Sequence, residues 1–356
     1  MTRAKEAEMR IIGCDLHARQ QTIAMLDVET GELEERRLEH EGDQVRAFYA
    51  GLPRPVRVGI EATGAMQWFL ELMEELEVEC VVGHPAQIRA GEPRKQKNDR
   101  RDARLLLRLL AENRFPKIWM PSMEQRDVRA LLRHREQWVR IRVRLQNALQ
   151  SIALTHGIRR GASLWSKAGQ RTIGELALPP LSGMRRDELM RLRVQLHQEI
   201  ERLDKEAERV ARERPLARLL MTHPGVGPIT SLATEVFLGD ATRFADGKAV
   251  ASYVGMIPCE HSSAGKQRLG KLTKQGNAML RMLWCEAARH AVIKDEDLRR
   301  FYRRKLAQKG LGIALVAAAR KLGVRLWIML REEIDYEEFC RRGRQRGEAQ
   351  AERPAR

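Results

Sequence analysis

Apolar and polar positions alternate with a period of two along the first part of the chain and with a period near 3.6 along most of the rest. Residues 10–15 and 21–26 are short apolar runs joined by a polar turn, residues 33–38 follow Glu-Thr-Gly, and residues 56–61 and 78–82 have the same character. Five strands are therefore expected. Residues 66–76, between the last two, carry an amphipathic helical pattern. A three-strand meander followed by strands separated by helices predicts a mixed α/β sheet with helices on its faces.

From residue 98 onward the pattern turns helical and basic. Residues 102–112 place Leu105, Leu106, Leu109 and Leu110 on one stripe, and residues 123–155 form a long arginine-rich helical pattern. A Gly/Pro/Ser-rich break at residues 157–183 interrupts it before a second long helix over residues 185–214. In that helix Leu189, Leu196, Leu203 and Val210 recur every seven residues, with Leu192, Ile200 and Ala207 between them, the signature of a coiled-coil seam. Such a seam serves pairing within one chain or between two. Residues 216–330 are helical with Gly-rich punctuation, and residues 341–356 read as a charged, mobile tail without apolar periodicity. The expected class is α/β plus α. A sheet domain spans residues 8–122, a helical pair with its intervening loop 123–214, a mainly helical domain 215–335, and the tail 341–356.

Composition narrows the function. The chain has 356 residues, 43% hydrophobic and 32% charged, with a net charge of +17; disorder, collagen-like and disulfide-scaffold classes are excluded. Five scattered cysteines without C-x-x-C spacing suggest neither a zinc knuckle nor a disulfide framework and fit a reducing compartment. The charged opening MTRAKEAEMR predicts no secretory signal, and Arg320, Lys321 and Arg325 rule out residues 312–330 as a membrane span. A cytosolic protein without a membrane partner is expected. The cationic surplus points to a polyanion, because each phosphate neutralised releases condensed counterions; a basic protein whose charge serves only solubility is the plainer reading.

Two constellations could carry chemistry. Asp15 and Glu61 end apolar strand runs, and Asp99 and Asp102 stand three apart at a helix start. Carboxylates at the ends of adjacent strands can share one hard divalent cation, which relieves their repulsion, and Mg²⁺ (or Mn²⁺) held this way activates phosphodiesters. Taken singly, Asp99 also reads as a helix N-cap and Asp102 as a first-turn residue that favours the helix dipole. The second constellation is the polar loop with Ser262 and Ser263, followed by Lys266, Arg268, Lys271 and Lys274. A serine needs a base, a metal or an electropositive setting to attack phosphorus, and without one such a loop only positions a backbone. Between the two, Gly225 and Gly227 form a Gly-x-Gly turn between helical patterns, as in helix-hairpin-helix modules that approach a duplex backbone. Arg94, Lys95, Lys97, Arg100 and Arg101 add basic candidates for nucleic-acid contact. His17, His84, His223 and His261 show no ligand spacing and stay unassigned.

Gly13-Cys14-Asp15, Ile60-Glu61-Ala62-Thr63-Gly64 and Lys97 to Arg104 resemble the signature of DEDD-type insertion-sequence transposases with a RuvC-like, RNase H-fold N-terminal domain. Pro224 to Thr230, residues 244–255 and Ser262 to Lys266 resemble their C-terminal transposase domain, in the same order. The resemblance implies a recombinase that cleaves and rejoins DNA, with Asp15, Glu61, Asp99 and Asp102 holding Mg²⁺ and a serine forming a covalent phosphoserine intermediate. It further implies donor and target duplex DNA as partners, an element-encoded bridge RNA as guide, and homodimers that pair into tetramers. The family pattern maps its serine to Ser263, but Ala264 follows where the pattern has glycine, so Ser262 stands as the alternative. Two rivals remain open: a RuvC-type metal-dependent structure-selective nuclease, and a non-enzymatic nucleic-acid-binding scaffold.

Overall fold

The computed structural model describes residues 9–91, 98–159, 161–260 and 268–351. The chain divides into two compact units, residues 1–120 and 121–356.

In the first unit, β1 (Arg10–Leu16), β2 (Gln20–Asp27) and β3 (Leu33–Glu39) form the antiparallel meander. Helix α1 (Gln44–Ala50) leads to β4 (Val56–Glu61), which lies parallel to β1, and α2 (Gln67–Glu75) leads to β5 (Glu79–Gly83), parallel to β4. The sheet order is β3-β2-β1-β4-β5. Side chains alternate between its faces. Ile12, Cys14, Val58 and Ile60 pack on one face against Tyr49 of α1 and Phe69, Leu72 and Met73 of α2.

The opposite face is built differently. Gly13 is registered with Ala24 on one side and Gly59 on the other, so a row of small residues crosses three strands. After α3 (Pro85–Ala90), α4 (Asp99–Ala111) settles onto that row. A Cβ at Gly13 would stand 2.2 Å from the Ala103 carbonyl oxygen, and one at Gly59 2.5 Å from Leu110. Ala103 and Leu107 pack on Ala24, while Leu105, Leu106 and Leu109 cluster with Ile88. The mixed α/β sheet is thus observed, with helices on both faces, as in an RNase H-like domain.

The second unit opens with α5 (Met123–Thr155), started by a capping box in which the Gln125 amide donates to Ser122 Oγ and the Gln125 side chain accepts from the Ser122 amide. The break expected over residues 157–183 contains a 3₁₀ turn (Gly161–Trp165) and α6 (Lys167–Gly174), and the second long helix, α7 (Pro180–Glu213), begins at Pro180. Proline at a first helical position lacks an amide that would be unpaired there anyway, which is why Pro180 starts the helix instead of ending the loop. Arg135 pairs with Asp204, while Leu149 and Ala153 share a cluster with Leu189 and Met190, so α5 and α7 run antiparallel within one chain. Ile200, Leu203 and Ala207 of the heptad stripe are buried, whereas Leu192 is 39% exposed.

Beyond this pair lie α8 (Pro215–Met221), α9 (Pro228–Leu238), α10 (Gly247–Val254), a two-stranded ribbon of β6 (Pro258–Glu260) and β7 (Leu269–Leu272), then α11 (Ala278–Lys294), α12 (Glu296–Lys309), α13 (Leu311–Glu332) and α14 (Tyr336–Ala351). Helix α9 is buried from Thr230 to Leu238, as its nearly all-round apolar sequence requires. Thr234 donates to the Thr230 carbonyl at 2.7 Å and accepts from the Trp284 indole at 2.9 Å. The tail expected over residues 341–356 is helical as far as Ala351. Its start is fastened by Glu338, which bridges Arg341 and Arg342, and by the Arg342–Glu332 pair at 2.7 Å. Tyr336 and Phe339 pack its first turn against the core, and charge pairs three and four residues apart add to its support. All five cysteines are free. Among the described residues no helix is long and apolar enough to cross a membrane.

Candidate active site

Asp15 and Glu61 lie on the face covered by α4. Cys14 is registered with Ile60, so the acids that follow them stand at the carboxyl ends of adjacent parallel strands. Asp15 shares the alternation of Gly13, and Glu61 that of Gly59, the two residues against which α4 rests. The first turn of α4 brings Asp99 and Asp102 to the same edge. The cap of α4 is Asn98, whose side chain accepts from the Arg100 amide at 3.0 Å. This corrects the capping role considered for Asp99: with Asn98 serving the backbone, the Asp99 carboxylate is directed to the site.

A residue without assigned role joins them. His17 Nε2 lies 3.1 Å from Asp15 Oδ2 and 3.7 Å from Asp99 Oδ1. One ligand atom from each of Asp15, His17 and Asp99 falls within 4.8 Å of the others, a spacing suited to one metal ion. The Asp15 side chain is 18% exposed, those of Asp99 and His17 about half exposed. Burial raises the Asp15 carboxyl above its ordinary range; His17 lowers it, and Asp102 and Asp99 raise it again through like charge. The like charges gathered at this edge repel one another, and a divalent cation placed among them would relieve that repulsion. The oxygen-rich donor set with one imidazole therefore fits a divalent ion. His17 follows Asp15 at a two-residue strand spacing, which puts both on one face; that alternation was the available signal.

Beside this cluster is a cleft of about 350 Å³ lined by Thr22, Glu35, Arg36, Arg37, Asn98, Asp99 and Arg100. Arg100 and Arg101 are exposed on the first turn of α4, while Arg94, Lys95 and Lys97 lie outside the described residues.

In the second unit, Ser262, Ser263 and Lys266 also lie outside the described residues, in the stretch between β6 and β7; Arg268, Lys271 and Lys274 are described and exposed. The base of that ribbon is tightly built. Gly255 ends α10 in the left-handed region, and a Cβ there would stand 1.8 Å from the Gln275 carbonyl oxygen; one at Gly276 would stand 2.0 Å from the Tyr253 carbonyl oxygen. Arg281 Nη1 donates to the carbonyls of Val254, Gln275 and Gly276 at 2.8, 3.1 and 3.2 Å.

The Gly-x-Gly turn departs from the expected use. Gly225, at φ +85°, faces α11: a Cβ would stand 2.5 Å from the Ala291 nitrogen, so its missing side chain lets α11 approach, not a phosphate. Gly227 is exposed and precedes Pro228 at the start of α9. Next to the turn, His223 is buried, its Nδ1 donating to the Pro224 carbonyl at 3.0 Å. Its Nε2 lies 3.8 Å from Asp295, which also holds Arg325 and, at 2.8 Å, the Tyr336 hydroxyl. Burial lowers the His223 imidazole to about 4.

Comparison with known proteins places both units. A transposase model of the DEDD, IS110 type matches residues 12–156, and the model described as Transposase IS116/IS110/IS902 family matches residues 217–303. The chain is 29% identical over 308 residues to a probable family 20 transposase of Pseudomonas aeruginosa, covering 82% of this chain and 89% of that protein. It is 27% identical to the transposase for insertion sequence element IS1111A of Coxiella burnetii, covering 82% and 83%. It is 25% identical to the transposase for insertion sequence element IS1328 of Yersinia enterocolitica, covering 80% and 86%.

Proposed function

Because the chain belongs to the IS110/IS116/IS902 family of insertion-sequence transposases, we propose that it cleaves and rejoins DNA through a serine–DNA ester formed with the help of a divalent cation, Mg²⁺ or Mn²⁺. The observation that carries this reading is the convergence of Asp15, His17 and Asp99, with Asp102 and Glu61 at the same sheet edge, inside the stretch matched by the DEDD model.

Asp15, Glu61, Asp99 and Asp102 would hold the cation, with His17 as a further ligand beside Asp15 and Asp99, and would orient the scissile phosphate. When bound, the cation polarises the phosphoryl oxygens and stabilises the charge that develops on them. Ser263 attacks phosphorus as one DNA ester bond breaks, and the departing strand oxygen takes up a proton; Ser262 is the alternative nucleophile. A new strand hydroxyl later attacks the phosphoserine and releases the serine. The ester retains the energy of the broken bond for rejoining, which hydrolysis would lose. The anchored base of the ribbon, with Gly255, Gly276 and Arg281, gives the serine stretch fixed ends, and Lys266, Arg268, Lys271 and Lys274 supply positive charge along it.

The partners in this reading are donor and target duplex DNA. A bridge RNA supplies sequence recognition by base pairing while the +17 protein holds backbones. Dimers pairing into tetramers would bring acids and serine from different subunits together. The test is a denaturing gel after incubation with element-end DNA, the guide RNA and Mg²⁺. A protein-linked strand absent in Ser263→Ala and Asp15→Asn is expected. Normal strand joining by Ser263→Ala and by the Ser262→Ala, Ser263→Ala double variant, with loss only in Asp102→Ala, would overturn the serine mechanism, whereas cleavage without adduct or joining, lost in Asp102→Ala, would support the RuvC-type nuclease.

A further inference from the structure

We propose that the cleft beside Asp99 is a phosphate-binding site for substrate DNA, with Arg37 and Arg100 gripping the backbone a few nucleotides from the phosphate held by the acids. The identity of the polymer rests on the reading above; the site itself rests on strand register.

Asp15 is registered with Thr22, and Thr22 with Arg37. Directly paired residues share a face, so a single row runs from the acid at the sheet edge to an arginine two strands away. Two strand spacings put the Arg37 backbone roughly 10 Å from that of Asp15. The start of α4 forms the other wall with Asn98, Asp99 and Arg100, enclosing about 350 Å³. Asp99 belongs both to the metal cluster and to this cleft. A strand with one phosphate at the acids therefore has its next phosphates within reach of the cleft.

The charges are arranged for an incoming anion. Glu35 is paired with Arg104, and Asp99 faces the cation site. Among the described residues Arg37 is held by Glu39 at 3.1 Å and by Gln20, with its side chain 61% exposed. Arg36 is likewise paired at the surface, with Glu34. Solvent-screened pairs of this kind are readily exchanged, and a phosphate offers a guanidinium the bidentate partner it prefers. With Glu35 taken up by Arg104, Arg37 and Arg100 are the cations of the cleft, while the Arg36 side chain turns to the opposite face of the sheet, over the Phe48 ring.

The test measures binding, not turnover. The full-length protein is titrated with a labelled DNA duplex containing a single-stranded gap, and separately with a labelled RNA hairpin, in Ca²⁺ over a range of salt. Arg37→Ala is expected to weaken DNA binding several-fold and reduce the slope of log K against log salt by about 1, while Arg37→Lys restores the slope. Neutral methylphosphonate at the linkages nearest the cleft should remove the difference between the wild-type protein and Arg37→Ala. An unchanged DNA slope in both Arg37→Ala and Arg37→Gln, or a loss confined to RNA, overturns the proposal. If no serine–DNA adduct forms yet the DNA slope still falls, the chemical reading fails and the phosphate site stands.

Discussion

Gly13 and Ala103 meet backbone to backbone: a Cβ at Gly13 would stand 2.2 Å from the Ala103 carbonyl oxygen and 2.3 Å from the Leu107 nitrogen. Asp15 lies two residues further along β1, and Asp102 and Asp99 lie one and four residues before Ala103 on α4. The spacing of the acids is thus set by a contact between two residues that have no polar side chain. A rigid helix on a rigid strand transmits that contact to the site.

Gly13→Ala tests this. The methyl group meets backbone that cannot rotate away, so α4 must move off the sheet. A stability loss of about 1–3 kcal/mol or more is expected, visible as a lowered unfolding midpoint, together with weakened Mn²⁺ binding. A variant of wild-type stability and metal affinity would show that α4 does not set the site.

For the metal cluster, calorimetric titration with Mn²⁺ is expected to show Asp15→Asn at least tenfold weaker than the wild-type protein. His17→Ala should weaken binding less, and nitrogen coupling in the electron paramagnetic resonance spectrum of bound Mn²⁺ should vanish in it. Full affinity in Asp15→Asn would remove Asp15 from the ligand set.

His223 makes the second unit acid-sensitive. Its imidazole is depressed from near 6.5 to about 4 by burial, so the unfolded chain binds the extra proton first. The stability of the neutral form is complete above pH 6.5 and declines as pH falls toward 4. Asp295 acts in the same direction at lower pH. Burial pushes its carboxyl up, but the Leu298 amide, Arg325, Tyr336 and His223 together hold it below the ordinary range. Between pH 7 and 5 the thermal midpoint should fall in the wild-type protein and fall less in His223→Phe. At pH 7 the variant loses the Nδ1 hydrogen bond, at a cost of about 1 kcal/mol. Equal slopes in both proteins would exclude His223 as the sensor.

Arg281→Ala leaves the carbonyls of Val254, Gln275 and Gly276 without their shared donor. We expect about 1–3 kcal/mol lower stability and a larger loss of adduct formation than of DNA affinity, because the ribbon base is loosened while the basic residues remain. Loss of DNA affinity in parallel with adduct would argue against a positioning role.

The amphipathic patterns at residues 56–61 and 123–155 agree with β4 and α5 at both ends, because each is bounded by strong local signals: a proline before Val56, a Ser122 cap before Met123. Where local signals conflicted, the structure differs. Asn98, not Asp99, caps α4; Pro180 starts α7 inside a Gly/Pro-rich stretch; and α14 runs on into the stretch read as a tail, its first turns tied by the ion pairs of Glu338. His17 was visible as a residue but not as a neighbour of Asp99, which is far away along the chain.

The sequence alone determined the five strands of the sheet, the long helices, the basic character of the chain and the acids at strand and helix ends, though not α1, α3 or the β6–β7 ribbon, because periodicity, charge and capping act over a few residues. Only tertiary structure decided that His17 stands between Asp15 and Asp99, that Gly225 accommodates α11, and that Arg37 shares a row with Asp15. Those relationships depend on strand register and on how closely a helix can approach a sheet, quantities fixed by packing between segments distant along the chain.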